Sequence, residues 1–376
     1  MISMSYDLSK LPISSLLRPI SDAGSALTRL DERIARSPVG QGWIERMHFA
    51  DACASLWIDG ELVHMEDLVL HEARADIRTP THELTIARDV LRARRRIAAK
   101  PPGWALSAEG LQLLRRHGAD MTADPVEDSG GKVASGLVAA VEVFEEGEVV
   151  GGSDALAVEF AAMDAALARS EVALAKARAP IDHGRDPLIY ERDWDEESRL
   201  DEWRTVLAET ESMPPVLRAV LLLDAWNSLQ VLQHAPWLGR LLAAASLRQA
   251  GLTTASHLTA INLGLKTIAV DRRRHRHRDT RLAAMVHGLQ AAAELGLKEH
   301  DRLALARQMM ERKLDHRRRS SKLPQLIELV MAQPLVTAEM IAKALKVTPR
   351  GALRLVEEMG LREMTGRGRF RAWGAL

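Results

Sequence analysis

The sequence predicts a mainly helical protein: a helical bundle body followed by a C-terminal winged helix-turn-helix, with a small β-hairpin wing and an inserted β-ribbon near residues 133–150. Three observations carry this prediction. Of 376 residues, 47% are hydrophobic and only 4% aromatic, so the chain can bury more than one core with side chains that lose little freedom in a helix. Apolar residues recur at helical spacing along most of the chain, while alternating β-branched runs are scarce. The last stretch, residues 320–376, holds short amphipathic segments whose caps and turns fall in the order a winged helix-turn-helix requires.

From about Pro19 to Arg96 the helical segments are "SALTRLDERIA", "GWIERMHFADACASLWI", "MEDLVLHEA" and "HELTIARDVLRARRRIA", broken at "SPVGQG", "DGELV" and "RTPT". A further helix starts at Ser107 as N-cap, "SAEGLQLLRRHG", and stops at Gly118. Residues 1–118 therefore form an N-terminal helical region. Between 119 and 155 the composition changes: Asp-Pro, Gly-Gly and the acidic "VEVFEEGEVVGG" read as a loop or inserted ribbon. Helix resumes at "DALAVEFAAMDAALARSEVALAKARA", and the main apolar block, Leu200 to Ala269, supplies the core of a region spanning 156–319. The run "DRRRHRHRD" (Asp271–Asp279) reads either as a phosphate contact or as a solvated helix end, the commoner use of such a run, and is followed by two helical segments on either side of Lys298.

Several classes are set aside by simple counts. One cysteine, Cys53, forms neither an intrachain disulfide nor a cysteine zinc site and reads as a small core residue. The histidines lack partner ligands at convincing spacing, so no metal and no cofactor are implied. No apolar run approaches the roughly 20 residues a membrane span needs, and the N-terminus lacks a basic stretch leading into an apolar core, which together predict a cytoplasmic protein.

In the C-terminal domain, a first helix (Gln325–Ala332) ends before Pro334. A second begins after Thr337 as N-cap, and a short turn follows at Lys346 and Val347. Thr348 caps a third helix with Pro349 at its first position, where the missing N–H costs nothing. After Gly360, "LREMTGRGRFRAW" reads as two strands around "TGRG", a wing. The domain carries nine Lys and Arg against five Glu, a sign that favours DNA. Arg350 and Arg354, at i and i+4, share one face of the recognition helix, where arginine pairs bidentately with guanine. Arg367 and Arg369 on the wing suit the backbone or minor groove. The candidate DNA contacts are Thr337, Lys346, Thr348, Arg350, Arg354, Arg367 and Arg369, and the expected partner is double-stranded DNA.

The order of helical N-terminal region, helical core and winged helix resembles that of Fic-type proteins, which transfer AMP from ATP to a protein hydroxyl. "ACASLWIDGELVHMEDLVLHEA" is similar to the Fic autoinhibitory helix, whose signature is Ser or Thr, three residues, Glu, then Gly or Asn. Ser55 and Gly60 match it, and Asp59 stands for the glutamate. "MPPVLRAVLLLDAWNSLQVLQHAPWLGRLLAAASLRQAG" is similar to the Fic core helix, active loop and following helix. The resemblance implies a site at Ser55, Asp59, Gly60, His234, Trp237 and Arg240, but the active loop departs from the family pattern. With Arg240 as its closing arginine, Leu229 stands at the catalytic histidine and Gln233 at the magnesium carboxylate. His234, Ala235, Pro236 and Trp237 replace the Gly-Asn-Gly-Arg phosphate turn. Leucine accepts no proton and Pro236 offers no N–H to a phosphate, so no catalytic residue is expected.

The reading that follows is a DNA-binding regulator built on a catalytically inactive Fic-like domain. A homodimer and a small-molecule or nucleotide effector are left open. Two alternatives stand beside it: a divergent nucleotidyltransferase centred on His234 and Arg240, and a protein-interaction or antitoxin-like module.

Overall fold

Apolar spacing builds the body helix by helix. The computed structural model describes residues 6–73, 79–116, 194–254, 257–314, 322–366 and 371–375. The ribbon expected near 133–150, the helix expected after it, and Arg367 and Arg369 lie outside the described residues. Helix α1 (Ile13–Ala35) buries Leu16, Ala23, Leu27, Leu30 and Ile34 along one face. It begins six residues before the expected start at Pro19, which sits inside it. The fully buried Leu16 anchors the first turn, and that packing outweighs the backbone bond the proline cannot make. Helix α2 (Gly40–Asp59) is buried on most of its circumference and runs through the centre. Helices α3 (Met65–Glu72) and α4 (His82–Ala99) follow, and Thr81 caps α4 by accepting from the Leu84 amide at 3.3 Å. Ser107 likewise caps α5 (Ala108–Arg116), accepting from the Gly110 amide at 3.1 Å.

Helix α6 (Glu196–Glu209) precedes two nearly all-apolar helices, α7 (Pro215–Leu229) and α8 (Trp237–Gln249), whose burial on every side makes them the middle of the core. Short helices α9 (Ile261–Lys266) and α10 (Val270–Arg273) lead into α11 (Arg278–Arg312). The two segments expected around Lys298 are one helix of 35 residues, about 52 Å long. Gly296 does not break it: the Trp43 indole donates to the Gly296 carbonyl at 2.9 Å, fixing α2 against this turn. Helix α1 packs along α11, α9 crosses α11, and α2 lies on α4 and α9. The N-terminal helices and α6–α11 thus contribute to one core.

Three buried carboxylates tie distant helices together. Asp51 on α2 accepts from the Arg94 guanidinium, from Asn262 Nδ2 at 2.8 Å and from the Leu263 amide at 3.0 Å, joining α4 and α9. Asp224 on α7 accepts from the Tyr6 hydroxyl at 2.6 Å and from Arg281. Burial and the Asp224 charge push the Tyr6 hydroxyl well above the usual phenol range. Asp31 on α1 holds the Thr254 amide at 2.8 Å and hydroxyl at 2.6 Å, with His257 Nδ1 at 3.4 Å. Burial of His257 lowers its pKa to about 4, so the ring is neutral near pH 7. Cys53, half-buried on α2, has its thiol pushed up to about 12 by burial and is inert packing.

The C-terminal domain begins with α12 (Leu323–Ala332), starting two residues earlier than expected because Pro324 fits the first turn. Then come β1 (Val336–Thr337), α13 (Ala338–Leu345), α14 (Pro349–Met359), β2 (Arg362–Glu363) and β3 (Ala372–Gly374). The sheet is antiparallel in the order β1-β3-β2, with Val336 opposite Trp373 and Arg362 opposite Gly374. Strand β1 is an addition to the expected hairpin. Two residues are too short for an alternation pattern, and only pairing with β3 defines them as a strand.

Candidate nucleic-acid interface and the buried Arg240 site

The helix expected to be the recognition helix is α14. Thr348 caps it by accepting from the Gly351 amide at 3.1 Å, and Gly360 closes it in the left-handed region at φ 67°. Its inner face buries Ala352, Val356 and Met359. Arg350 and Arg354 are exposed on the opposite side and make no ion pair or hydrogen bond with the described residues. One turn further on the exposed residues are Glu357 and Glu358. The helix therefore presents cations along its N-terminal half and carboxylates at its C-terminal end. Lys346 is exposed in the turn between α13 and α14, held in the left-handed region at φ 53°. Thr337 takes a different place: it is only 8% exposed, pairs in β1 and caps α13 by accepting from the Met340 amide at 3.2 Å. Its hydroxyl caps the helix and its side chain is buried, unlike that of Thr348, which is exposed.

The body holds this domain by the ends of its helices. Arg46 on α2 donates to the Met331 carbonyl at 2.5 Å and the Val330 carbonyl at 2.6 Å, capping the last turn of α12. Burial lowers its pKa to about 10, so it remains charged and complements the negative end of the helix dipole. Gly42, one turn earlier, lets that end come close, since a Cβ there would lie 1.9 Å from the Met331 carbonyl oxygen. Lys313 Nζ donates at 2.8 Å to the Met359 carbonyl, at the end of the recognition helix. Arg307 of α11 pairs with Glu328 of α12 at 2.6 Å. None of these contacts is legible in sequence; an arginine within the apolar stretch "GWIERMHF" is their single local trace.

The second site lies at the start of α8. Trp237 is its first residue and is buried. Gly239 packs flat on Trp226, where a Cβ would fall 2.3 Å from the indole, so it serves helix contact between α7 and α8. Arg240, 5% exposed, donates Nη1 to Asp59 Oδ1 at 3.0 Å and Nη2 to Asp59 Oδ2 at 2.5 Å, with Ser55 Oγ at 2.9 Å from Nη2. Gly60, at φ 99°, ends α2 just after Asp59. Each partner sits at the unfavourable end of its own helix, a carboxylate at a C-terminus and a guanidinium at an N-terminus, so the pair offsets two dipole penalties as well as two charges. The structure thus brings together Ser55, Asp59, Gly60, Trp237 and Arg240.

His234 belongs elsewhere. It is half-buried beside Arg115 and Glu196, and burial lowers its pKa below the usual imidazole range. Leu229 is buried at the end of α7 and Gln230 takes the left-handed cap position there. Sequence reasoning passed over two further cations, Arg273 and Lys266, which lie over the Trp57 ring at 5.6 and 5.2 Å; of these Arg273 feels the Arg240 charge.

With this geometry in place, comparison with known proteins defines the class: residues 323–376 match the family described as HTH DNA binding domain, so the chain carries a helix-turn-helix domain of DNA-binding type on a helical body. Residues 188–315, from before α6 through α11, match the family described as Protein of unknown function (DUF1612). Uncharacterized protein y4cF of Sinorhizobium fredii is 63% identical over 385 aligned residues, covering 99% of this chain and 100% of that protein. The chain belongs to the same family as that protein, with a DUF1612 region and a C-terminal HTH domain. Among the described residues no helix is long and apolar enough to cross a membrane.

Proposed function

We propose that this protein is a transcriptional regulator that binds double-stranded DNA through α14, on a body that is a catalytically silent Fic-like domain. The observation that carries the DNA half is the pair Arg350 and Arg354, exposed and without a partner among the described residues, on the N-terminal half of a helix whose own C-terminus is held by Lys313. An arginine pair at this spacing spans neighbouring base edges in a major groove, and Lys346 and the Thr348 end of the helix suit the flanking phosphates.

The silent-domain half rests on chemistry at Arg240. Both terminal nitrogens of its guanidinium are taken up by Asp59 and Ser55, the two residues matched to the autoinhibitory signature. No general base stands at Leu229, and His234 faces Glu196 and Arg115. Sequencing genomic fragments retained by the purified protein gives the site. Arg350→Ala and Arg354→Ala are each expected to weaken specific binding by about 1–3 kcal/mol. Full affinity and specificity in both variants refutes the assignment of α14. ATP-dependent labelling of the protein or a partner, lost in His234→Ala, refutes the silent domain.

A further inference from the structure

We propose that an arginine-lined groove between α1 and α11 binds a small multivalent anion, one bearing two or more carboxylate or phosphate groups, and that its occupancy loosens the hold of the body on the DNA-binding domain. The groove has a volume of about 780 Å³, within the range of small-molecule sites. Four arginines converge on it: Arg29 and Arg33 from the last turns of α1, Arg36 just after its end, and Arg307 from α11. Glu32 and Glu311 line it beside them, and Asp301 and Glu328 reach its arginines from outside the lining.

Its pairs are of the kind an anion can replace. Arg33 reaches Asp301 at 2.8 Å and Arg36 reaches Glu32 at 2.7 Å, but all four side chains are about half exposed or more. Such exposed pairs are worth little and are screened, so exchanging a carboxylate of the protein for one of a ligand costs little. Arg29 is exposed and has no ion-pair partner among the described residues. The inner wall, by contrast, is fixed: His300 is buried, with Nε2 at 2.8 Å from Ser37 Oγ and Nδ1 at 3.2 Å from Asp301. The groove therefore combines a rigid polar back with cations free to reorganise at its mouth.

Arg307 links this groove to DNA binding. Its side chain lines the groove, pairs with Glu311 at 2.8 Å, and uses Nη2 to hold Glu328 of α12 at 2.6 Å. An anion that draws the Arg307 guanidinium inward takes it from Glu328, the exposed half of the attachment between body and winged helix. Arg46 and Lys313 keep the domain attached but with one restraint fewer. This coupling rests on the DNA-binding reading above; binding of the anion does not.

The test uses the full chain and two probes, inorganic pyrophosphate and citrate, in calorimetric titration at low ionic strength without DNA. One-site binding of at least one probe is expected; pyrophosphate alone points to a phosphate ligand, citrate alone to a polycarboxylate. Arg29→Ala and Arg33→Ala should each weaken binding about tenfold, the loss of one charge-assisted hydrogen bond. Arg18→Ala, on the same helix and outside the groove, should leave it unchanged. No binding of either probe, or equal loss in Arg18→Ala, overturns the site. In the second arm, a saturating probe should lower DNA affinity severalfold in the wild type and have no effect in Glu328→Gln, where the linkage is already broken. Anion binding with unchanged DNA affinity overturns the coupling. Absence of DNA binding in anion-free protein refutes the DNA reading while leaving the calorimetric result standing.

Discussion

Removing Asp59 strands a cation. Arg240 has a side-chain exposure of 6%, and Asp59 supplies two of its hydrogen bonds, at 2.5 and 3.0 Å. Breaking a buried pair by deleting one partner costs about 3–5 kcal/mol. The Asp59 side chain is 23% exposed, so water can reach the vacated space, and Ser55 still accepts through its hydroxyl and its carbonyl. Both reduce the expected cost of Asp59→Ala to about 2–3 kcal/mol, and Asp59→Asn, which keeps an acceptor but loses the charge, to about 1–2 kcal/mol. Arg240→Leu removes the cation and suits the apolar walls, so Asp59→Ala introduced on top of it should cost about 1 kcal/mol or less. Urea unfolding of the four proteins of this cycle measures the coupling, with midpoints shifting at constant slope. Additivity within about 0.5 kcal/mol would refute the claim that Arg240 depends on Asp59.

Lys346 pays left-handed strain, so Lys346→Gly should raise stability by about 1 kcal/mol while weakening DNA binding and reducing its salt slope by about 1, measured by unfolding and by affinity across salt. Gly42→Ala should destabilise by about 1–3 kcal/mol, because its Cβ meets the Met331 carbonyl oxygen at 1.9 Å; an unchanged melting temperature would show that the winged helix is not docked there. The pKa of His257 falls from 6.5 to about 4 on folding. The unfolded chain then takes the proton first, so stability is full above pH 6.5 and roughly 3 kcal/mol of it is lost as the pH falls toward 4. His257→Phe should flatten that slope in urea titrations over the same range, and an unaltered slope would assign the acid sensitivity to other groups.

Local signals reached far into this fold. Thr81, Ser107, Thr337 and Thr348 cap the helices that follow them, because a cap is a bond between residues two or three apart and is fully encoded nearby. The winged helix was legible for the same reason, apart from β1, whose two residues become a strand only by pairing with β3. Proline and glycine misled where packing overrode them: Pro19 lies inside α1 and Gly296 inside α11. The candidate site was legible only in part. "DACASLWIDG" and Arg240 each carry a pattern, but Thr337 reads equally as a cap and as a contact until its burial is known.

By itself the sequence determined the helical class, most helix ends and the helix-turn-helix order of the C-terminal domain, since these depend on periodicity and capping. Only the tertiary structure decided how the remaining charges are used. Arg240 meets Asp59 across 181 residues and Arg46 meets Met331 across 285. A buried guanidinium must find acceptors wherever the packed helices bring them, and no local pattern specifies a partner at that distance.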